Sequence, residues 1–409
     1  MSAQTTMTTA EHWQMIEGQA PDAIFGLARR AAAAKGPKAN LVIGAYRDDN
    51  GIPYPLRVVR KAERLLMDMN PDYEYLPISG YQPFIDEAVK MVYGDAVELE
   101  NLVAVQSLSG TGALSLGAKL LTHVYDAEKT PIYLSNPTWP NHNAIVKGAG
   151  WKNIHTYTYY DPKTVSLDFE GMKKDIQAAP NGSVFILHQC AHNPTGVDPS
   201  QEQWDEIAEL MLAKHHQVFF DSAYQGYASG NLDEDAYAVR LFARRGIEVL
   251  LAQSFSKNMG LYSERTGTLS LLLKNKTKCA DVKSVLESLI RSEYTCPPAH
   301  GARLVHLILS NNELRKEWEV ELAAMAERIR TMRRIVYDEL LRLQTPGSWE
   351  HVINQIGMFS FLGLSKERCQ YCQDHNVFIT LTGRANMAAL THETALLLAQ
   401  TINDAVRSG

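Results

Sequence analysis

Short apolar runs alternate with longer amphipathic segments through the middle of the chain. The amphipathic segments have the spacing of helices, and Ser200 is a suitable N-cap for the one over Ser200–His215. Because several apolar runs are continuous, they predict strands in a sheet that is buried on both faces. The alternation extends over roughly residues 50–310 and predicts one large α/β domain. The predicted strands are Leu102–Leu108, Pro131–Ser135, Val184–Gln189, Val218–Ser222, Val249–Ser254 and Thr268–Leu273.

The C-terminal part of the chain has a different pattern. A long, charged helical segment runs from Glu313 to Leu343, and two short β patterns follow at Met358–Leu362 and Val377–Leu381. A last helical pattern covers Thr391–Val406. This order of elements is typical of an α+β unit, so we predict a smaller second domain that begins near residue 320.

Composition excludes several classes of protein. Of the 409 residues, 45% are apolar and 21% are charged, which is ordinary for a globular enzyme and argues against a disordered chain or a coiled coil. The 40 basic and 46 acidic residues give a net charge of −6, which offers no basic surface for nucleic acid. No apolar run approaches the roughly 18 residues that a membrane span needs. We therefore predict neither a nucleic-acid nor a membrane partner.

The N-terminal segment and the cysteines indicate the compartment. The first basic residue is Arg29, and the segment before it contains Glu11 and Glu17 but no apolar core, so neither a secretory nor a mitochondrial signal is expected. Five cysteines are too few for a disulfide framework. We interpret the isolated CxxC of Cys369 and Cys372 as two thiols on a helix, and we expect no metal site. The predicted compartment is the cytosol.

Residues suited to catalysis follow the predicted strands, where ligands bind in open α/β sheets. Ser109-Gly110-Thr111-Gly112 follows the first strand and opens a helix, where small residues, hydroxyls and free N–H groups suit a phosphate. Asn193, Asp221, Lys257 and Arg265 follow later strands. A buried lysine beside cations is suited to form a Schiff base. Each signal is weak by itself, but their succession at strand ends indicates one site.

This succession resembles the class I aminotransferases of the aspartate aminotransferase family, which use pyridoxal phosphate. The resemblance implies an α/β protein of fold-type I, with a large domain built on a mainly parallel central sheet flanked by helices, plus a smaller α+β domain. It divides the chain into an N-terminal arm (1–20), a small domain (21–48 with 321–409) and a large cofactor-binding domain (49–320). The motifs that carry it are Tyr73-Glu-Tyr-Leu-Pro-Ile78, Ser109-Gly-Thr-Gly-Ala-Leu114, Asn136-Pro-Thr-Trp-Pro-Asn-His142, Cys190-Ala-His-Asn-Pro-Thr-Gly196, Phe220-Asp-Ser-Ala-Tyr224, Ser254-Phe-Ser-Lys-Asn-Met-Gly-Leu-Tyr262 and Glu264-Arg265.

The resemblance assigns a role to each residue of the predicted site. Lys257 would bind the cofactor covalently and move the proton of the substrate Cα, Asp221 would pair with the pyridine nitrogen, and Tyr224 would bond the phenolic oxygen. Arg384 would bind the substrate α-carboxylate, with Gly44 beside it. The residues that would contact the cofactor are Tyr75, Ser109, Gly110, Thr111, Trp139, His142, Asn193, Asp221, Tyr224, Ser254, Lys257 and Arg265. Those that would contact the substrate are Gly44, Trp139, Asn193, Arg291 and Arg384.

The resemblance also implies a homodimer with shared active sites. Tyr75 would reach the phosphate, and Arg291 the distal carboxylate of the substrate, from the neighbouring subunit. A simpler alternative for Arg291 is a surface ion pair with Glu287 or Glu293. The implied reaction is the reversible transfer of the amino group of L-aspartate to 2-oxoglutarate. An aminotransferase of broad specificity that also uses aromatic amino acids is the alternative.

Two other classes of protein remain open from the residues alone. Ser254 and Lys257 formally fit the SxxK motif of serine acyl-transfer enzymes, although the SDN and KTG motifs of that class do not occur. The second is a chain that kept the fold and lost the chemistry, against which the joint presence of Lys257, Asp221 and Arg384 argues. Absorbance in the near-ultraviolet and visible regions distinguishes these classes, since only a pyridoxal enzyme should absorb there.

Overall fold

The computed structural model describes residues 9–18, 20 and 22–408 of the chain. The predicted N-terminal arm, residues 1–20, therefore lies partly outside the described residues, and the part inside them contains a short helix at Thr9–Gln14. Within these ranges every helix is too short or too polar to span a lipid bilayer.

Helices and strands alternate along the described residues. The α-helices are α1 (Thr9–Gln14), α2 (Ala23–Ala33), α3 (Arg57–Asp68), α4 (Gln82–Tyr93), α5 (Ser109–Leu121), α6 (Asn141–Gly148), α7 (Phe169–Ala178), α8 (Gln201–Ala213), α9 (Leu232–Asp235), α10 (Tyr237–Arg244), α11 (Cys279–Tyr294), α12 (Ala299–Ser310), α13 (Asn312–Arg342), α14 (His351–Asn354), α15 (Lys366–Asp374) and α16 (His392–Arg407). The strands are β1 (Ala39–Asn40), β2 (Leu102–Leu108), β3 (Ile132–Asn136), β4 (Ile154–Thr158), β5 (Tyr160–Asp161), β6 (Ser166–Leu167), β7 (Val184–His188), β8 (Gln217–Ser222), β9 (Val249–Ser254), β10 (Thr266–Leu272), β11 (Phe359–Phe361), β12 (Val377–Phe378) and β13 (Arg384–Asn386). Short 3₁₀ helices cover Leu99–Asn101, Lys276–Lys278 and Met387–Ala389.

The centre of the fold is a seven-stranded sheet with the strand order β2-β10-β9-β8-β7-β3-β4. Neighbouring strands are parallel except at β10, which runs antiparallel to both β2 and β9. Helices cover both faces of the sheet, with α5 and α11 on one side and α4, α8 and α10 on the other. The predicted α/β fold with a mainly parallel central sheet is therefore confirmed.

Alternate residues of the central strands pack into two separate cores. Phe220 packs against Trp204 of α8 and Phe242 of α10, with ring centroids 5.9 and 5.1 Å away. Phe219 points to the opposite face, where α5 approaches so closely that a Cβ on Gly117 would lie 2.4 Å from the Phe219 ring. Since successive strand residues face opposite sides, only continuous apolar runs can fill both cores, which is the pattern that the sequence shows.

The predicted elements agree with the observed ones to within two residues, with one exception. Ser200 caps α8 as predicted, and its hydroxyl forms a capping box with Gln203. Cys369 and Cys372 lie buried on α15, which confirms the interpretation of the CxxC as two helix thiols. The exception is the predicted strand Val377–Leu381, because β12 ends at residue 378 and the chain then turns through Gly383, which has a φ of 83°.

The N-terminal and C-terminal parts of the chain are joined by a small strand pair. β1 runs parallel to β12, and nearby β11 runs antiparallel to β13. Helix α13 is 31 residues long and packs against both α12 and α16. The predicted domain boundary between residues 320 and 321 falls inside this helix, which continues unbroken through it. The division into domains stays a prediction.

Candidate active site

Residues predicted from separate motifs meet at one edge of the seven-stranded sheet. In the strand register, Asp221 of β8 lies beside His188 of β7 and Ala252 of β9. Ser254 ends β9, and Ser109 begins α5 directly after β2. Because these four strands are parallel to one another, their carboxyl ends meet at the same edge and bring these residues together.

Three serine hydroxyls form a cluster at the N-terminus of α5. Ser109 Oγ lies 2.8 Å from Ser254 Oγ and 2.8 Å from Ser256 Oγ. Arg265 Nη1 donates to Ser256 Oγ at 3.3 Å. The backbone also approaches closely here, since Ser109 has a φ of 60° and a Cβ on Gly110 would lie 3.1 Å from Ser254 Cβ. Hydroxyls, helix N–H groups and a guanidinium together suit a phosphate dianion.

Lys257 follows β9 and is held by a residue far away in the sequence. Its Nζ donates a hydrogen bond to the carbonyl oxygen of Gly44 and lies 4.8 Å from the centroid of the Tyr262 ring. Burial, together with the charges of Arg384 and Arg265, lowers the pKa of Lys257 to about 8. At pH 7 roughly a tenth of the molecules therefore carry the neutral, nucleophilic amine, compared with fewer than about one in a thousand for an ordinary lysine.

Asp221 is paired with a buried histidine. His142 in α6 places Nε2 3.1 Å from Asp221 Oδ2. Burial by itself would raise the pKa of Asp221, but the hydrogen bond from His142 holds this pKa below its usual value. A carboxylate that stays ionised in such surroundings is the group needed to keep a pyridine nitrogen protonated.

Hydrogen bonds continue from His142 to the turn that carries Asn193. The Asn193 N–H donates to His188 Nδ1 at 3.3 Å, so the ring proton of neutral His188 sits on Nε2, and burial keeps the pKa of His188 well below its usual value. That proton faces Thr138 Oγ1 at 3.3 Å, and the Thr138 hydroxyl donates to His142 Nδ1 at 2.8 Å. Each hydrogen bond in this series from Asn193 to His142 then donates in the direction of Asp221, and the series stabilises the negative charge of Asp221.

Asn193 and Tyr224 are buried polar residues near Asp221. Among the described residues, Asn193 Oδ1 has no hydrogen-bond partner. Burial and the charge of Asp221 raise the pKa of Tyr224, so its hydroxyl keeps its proton at neutral pH and can donate. A ligand that offers a donor to Asn193 Oδ1 and an acceptor to the Tyr224 hydroxyl would form hydrogen bonds with both residues.

Thr111 and Trp139 are the remaining predicted site residues at this edge of the seven-stranded sheet. Thr111 is half-buried in the first turn of α5, next to the serine cluster. Trp139 lies edge-on to His142, with ring centroids 5.4 Å apart. Both positions border the groups described above.

Arg384 lies in β13 and is buried. Its Nη2 donates to the carbonyl oxygen of Val42 at 2.8 Å, and its guanidinium carbon lies 4.3 Å from the centroid of the Phe359 ring. Its Nε finds no hydrogen-bond partner in the part of the chain that the structure describes. A Cβ on Gly44 would lie 2.7 Å from Phe359 Cζ, so a larger residue at position 44 would displace that ring. A buried guanidinium with free donors is suited to bind a carboxylate.

Tyr75 and Arg291 lie at the surface, away from these contacts. The Tyr75 side chain is 79% exposed, and Arg291 is exposed on α11. Over the described ranges Arg291 forms no ion pair, and Glu293 instead pairs with Lys119 at 2.5 Å. The alternative of a surface ion pair between Arg291 and Glu287 or Glu293 is therefore not observed.

Several contacts of the site were not predicted from the sequence. Ser256 and Tyr262 stand within a motif that was identified, and the alternation of serines before Lys257 could have singled out Ser256. Thr138 lies in another such motif. Phe359 has no local signal, because its place beneath Arg384 depends on tertiary packing alone.

Comparisons with known proteins identify the family. Residues 37–402 match the family model described as aminotransferase class I and II. A relative from Dictyostelium discoideum, named as a cytoplasmic aspartate aminotransferase, is 46% identical over 391 residues, which cover 95% of this chain and 88% of the relative. A broad specificity aminotransferase from Leishmania mexicana, whose structure is known, is 86% identical in sequence. The match covers 98% of this chain and 100% of the Leishmania mexicana chain, and the two structures superpose with a TM-score of 0.97. An aspartate aminotransferase from Trypanosoma cruzi is 52% identical, with coverage of 97% and 99% and a TM-score of 0.91. This chain belongs to the class I and II aminotransferases, as the resemblance of its motifs predicted.

Proposed function

We propose that the protein is a pyridoxal-phosphate-dependent aspartate aminotransferase. It would transfer the amino group of L-aspartate to 2-oxoglutarate, giving oxaloacetate and L-glutamate, in a ping-pong cycle between the pyridoxal and pyridoxamine forms of the cofactor. The observation that carries the proposal is Lys257, whose pKa of about 8 results from burial and from the charges of Arg384 and Arg265. Neither arginine has a carboxylate partner among the described residues, so both are available for anionic groups of cofactor and substrate.

The serine cluster fits the phosphate of pyridoxal phosphate. Ser109, Ser254 and Ser256 converge at a helix N-terminus, Gly110 leaves room for the backbone to approach, and Arg265 supplies positive charge. A phosphate bound there would replace hydroxyl-to-hydroxyl contacts with charge-assisted hydrogen bonds.

The groups next to the cluster fit the ring of pyridoxal phosphate. Asp221 is held ionised by His142 and would pair with the protonated pyridine nitrogen. The Asn193 amide, through its nitrogen, and the protonated hydroxyl of Tyr224 would donate to the phenolic oxygen. Trp139 would stack on the ring.

Bound in this site, pyridoxal phosphate supplies an electron sink for the electron pair that the Cα–H bond of the substrate releases. Lys257 would hold the cofactor covalently at rest and move the Cα proton during the reaction, for which a pKa near neutrality is suited. The carbonyl oxygen of Gly44 orients Lys257 Nζ. Arg384 would bind the α-carboxylate and thereby fix the position of the substrate Cα relative to this amine.

We infer that the active unit is a homodimer in which each site takes residues from both chains. Tyr75 and Arg291 are exposed on one chain, whereas the proposed roles place both beside cofactor and substrate. A surface groove of about 840 Å³ borders the segment 66–76 and is lined on its other side by residues 294–303, close in sequence to Arg291. A second copy seated over this surface would supply Tyr75 to the phosphate and Arg291 to the distal carboxylate of aspartate or glutamate.

A second candidate function is suggested by one neighbour. The Leishmania mexicana protein, 86% identical to this chain, is described as a broad specificity aminotransferase. The more distant curated relatives, at 43–46% identity, are named aspartate aminotransferases. We therefore propose acidic amino acids as the main substrates and aromatic amino acids as the alternative to be measured beside them.

The remaining inferences concern domains and compartment. We propose that residues 21–48 with 321–409 form the small domain and residues 49–320 the large one, and the pairing of β1 with β12 supports the first grouping. Because the Dictyostelium discoideum relative is named as a cytoplasmic enzyme, we place this protein in the cytoplasm as well.

The spectrum of the loaded protein tests the proposed function. Protein incubated with pyridoxal phosphate and freed of excess cofactor should show a visible band. Addition of L-aspartate alone should convert this band to one at shorter wavelength, and 2-oxoglutarate should restore it, since each acts in one half of the ping-pong cycle. A band that is absent, or that does not respond to aspartate, would contradict the proposal.

Substitution of the two arginines separates the substrate classes. Arg291→Ala should lower kcat/KM for aspartate by on the order of 10²-fold or more, because a charge-assisted contact is lost in a closed site. Activity on phenylalanine or tyrosine should change little, because their side chains carry no charge. Arg384→Ala should reduce activity on both classes alike, since every amino acid carries an α-carboxylate. Equal loss of aspartate and aromatic activity in Arg291→Ala would show that Arg291 is structural.

Complementation between inactive variants tests the shared site. When Lys257→Ala and Arg291→Ala proteins exchange subunits, about a quarter of the sites should combine an intact Lys257 with an intact partner Arg291 and regain aspartate activity. The matched control mixes Lys257→Ala with Arg384→Ala, whose residues act in the same chain, and should regain nothing. Exchange of subunits without recovery in the first mixture would count against sites built from two chains.

A further inference from the structure

Asp198 holds the turn that presents Asn193 to the site. Its two carboxylate oxygens accept hydrogen bonds from consecutive backbone N–H groups, Oδ2 from Ala191 at 2.5 Å and Oδ1 from His192 at 2.9 Å. These two residues directly precede Asn193 in the chain. A single carboxylate therefore fixes the peptide units from which the Asn193 side chain projects.

The backbone of this turn is in an uncommon conformation. Ala191 has a φ of 49°, in the left-handed region that residues with a Cβ rarely adopt. This conformation turns the N–H groups of residues 191 and 192 towards the same carboxylate. On the other side, Gly357 packs so closely that a Cβ there would lie 2.4 Å from Ala191 Cβ. The turn is thus clamped between Asp198 and the segment that leads to Phe359.

Other contacts hold the neighbouring side chains but leave the Asn193 amide free. The ring of His192 is held on both sides: its Nε2 lies 2.9 Å from Ser135 Oγ, and its Nδ1 lies 2.8 Å from Thr195 Oγ1. The Asn193 N–H donates to His188 Nδ1 at 3.3 Å. Asn193 Oδ1 nevertheless has no partner among the described residues. These contacts hold the His192 ring and the backbone of residues 191–193, and they leave the Asn193 amide, which the proposed function assigns to the cofactor, free to bind it.

We propose that Asp198 is a positioning residue for aminotransfer: its carboxylate sets the placement of the Asn193 amide and, through it, the acidity of the cofactor's phenolic oxygen. The proposal rests on the proposed function, because it assumes that pyridoxal phosphate lies in this site. Asp198 itself would not touch cofactor or substrate. It would act only through the backbone of Ala191 and His192.

The carboxylate of Asp198 is held by backbone N–H groups and has no cationic partner among the described residues. Burial raises the pKa of Asp198 to about 6, so ionisation is less favourable in the folded than in the unfolded chain. Above that pH the ionised group lowers the stability of the fold, and the loss is absent below the unfolded pKa. The nearby titratable groups are Asp235, Cys190, Tyr159 and His192, and burial keeps the pKa of His192 well below its usual value, so none of them is a cation at neutral pH. A half-buried carboxylate without a cationic partner, held next to a site, fits a role in positioning.

The test is the pH titration of the visible band in the enzyme loaded with pyridoxal phosphate. Asp198→Asn keeps the size of the side chain but can accept only one of the two N–H groups, because its amide nitrogen is a donor. A displaced Asn193 amide would donate less well to the phenolic oxygen, which would then hold its proton more tightly. We expect the midpoint of the titration to rise by about half a pH unit or more, or about threefold in proton affinity.

Two further variants make the result specific. Asp175→Asn is the matched control, since Asp175 also accepts a backbone N–H, from Thr158 at 2.7 Å, at the far edge of the sheet. This control should leave the midpoint unchanged. In an Asn193→Ala background, Asp198→Asn should add no further shift, because the residue through which Asp198 acts is gone.

The outcomes separate the inference from the proposed function. If the unsubstituted protein binds no pyridoxal phosphate, the proposed function falls and the inference with it. If it binds and titrates normally while Asp198→Asn has an unchanged midpoint, or shifts equally with and without Asn193, only the inference is overturned. Should Asp198→Asn not fold, Asp198→Ser is measured in the same way. Failure of both variants to fold would mark Asp198 as a structural residue and also overturn the inference.

Discussion

Replacement of Lys257 by alanine is expected to abolish aminotransfer and to leave the fold intact. Lys257 Nζ is the amine held by the Gly44 carbonyl, and its lowered pKa suits it to both covalent binding and proton transfer. Loss of a general acid–base group that also binds the cofactor should reduce kcat for aspartate by at least about 10⁴-fold. Within the described residues Lys257 Nζ forms one hydrogen bond, to the Gly44 carbonyl, and no ion pair, so the melting temperature should change little. Turnover and thermal unfolding measure the two effects separately.

The control for this variant is a lysine outside the site. Lys147 is exposed in the last turn of α6, so Lys147→Ala should keep full activity. Turnover of Lys257→Ala within about tenfold of the unsubstituted enzyme would be incompatible with the role assigned to Lys257, since the expected loss is far larger.

Replacement of Asp221 by alanine should reduce catalysis far more than it reduces stability. Without this carboxylate the pyridine nitrogen would lose its proton, and the ring would accept electrons poorly. We expect kcat to fall on the order of 10³-fold and the affinity for pyridoxal phosphate to fall by several kcal/mol, because one partner of a buried pair is removed. Single-turnover rates and equilibrium binding of the cofactor measure these losses.

Two conservative variants separate the charge of Asp221 from its shape. Asp221→Asn keeps the shape, and its amide can still contact His142, but it carries no charge and should be nearly as inactive as the alanine variant. Asp221→Glu keeps the charge and should retain part of the activity. Full activity in Asp221→Asn would show that hydrogen bonding to His142, rather than the negative charge, is what the site requires.

The central sheet could be predicted because its signal is local. A strand that is buried on both faces is mainly apolar, and β7 and β9 show this pattern up to the polar residues at their C-terminal ends. The reversed direction of β10 leaves no mark in its own sequence, since it is buried like its neighbours. The predicted helical segment from Glu313 to Leu343 already crosses the expected domain boundary, as α13 does, but its pattern does not show whether the helix belongs to one domain or to two.

The site could be predicted where it follows strand ends and not where it depends on packing between distant segments. Asp221 and Lys257 stand out because a polar residue ends an apolar run. Phe359 supports Arg384 through a contact between distant segments, and Asp198 supports the turn before Asn193 through its backbone conformation. No local sequence pattern encodes either contact.

Covalent trapping of the cofactor tests most directly whether Lys257 is the residue that binds pyridoxal phosphate. The enzyme loaded with pyridoxal phosphate is reduced with borohydride, digested and mapped by mass spectrometry, with the unloaded protein as control. We expect one modified residue, Lys257, whose Nζ contacts the Gly44 carbonyl and whose pKa is lowered by burial and by the charges of Arg384 and Arg265. A reduced adduct at another lysine, or none on a protein that is otherwise folded, would contradict this expectation.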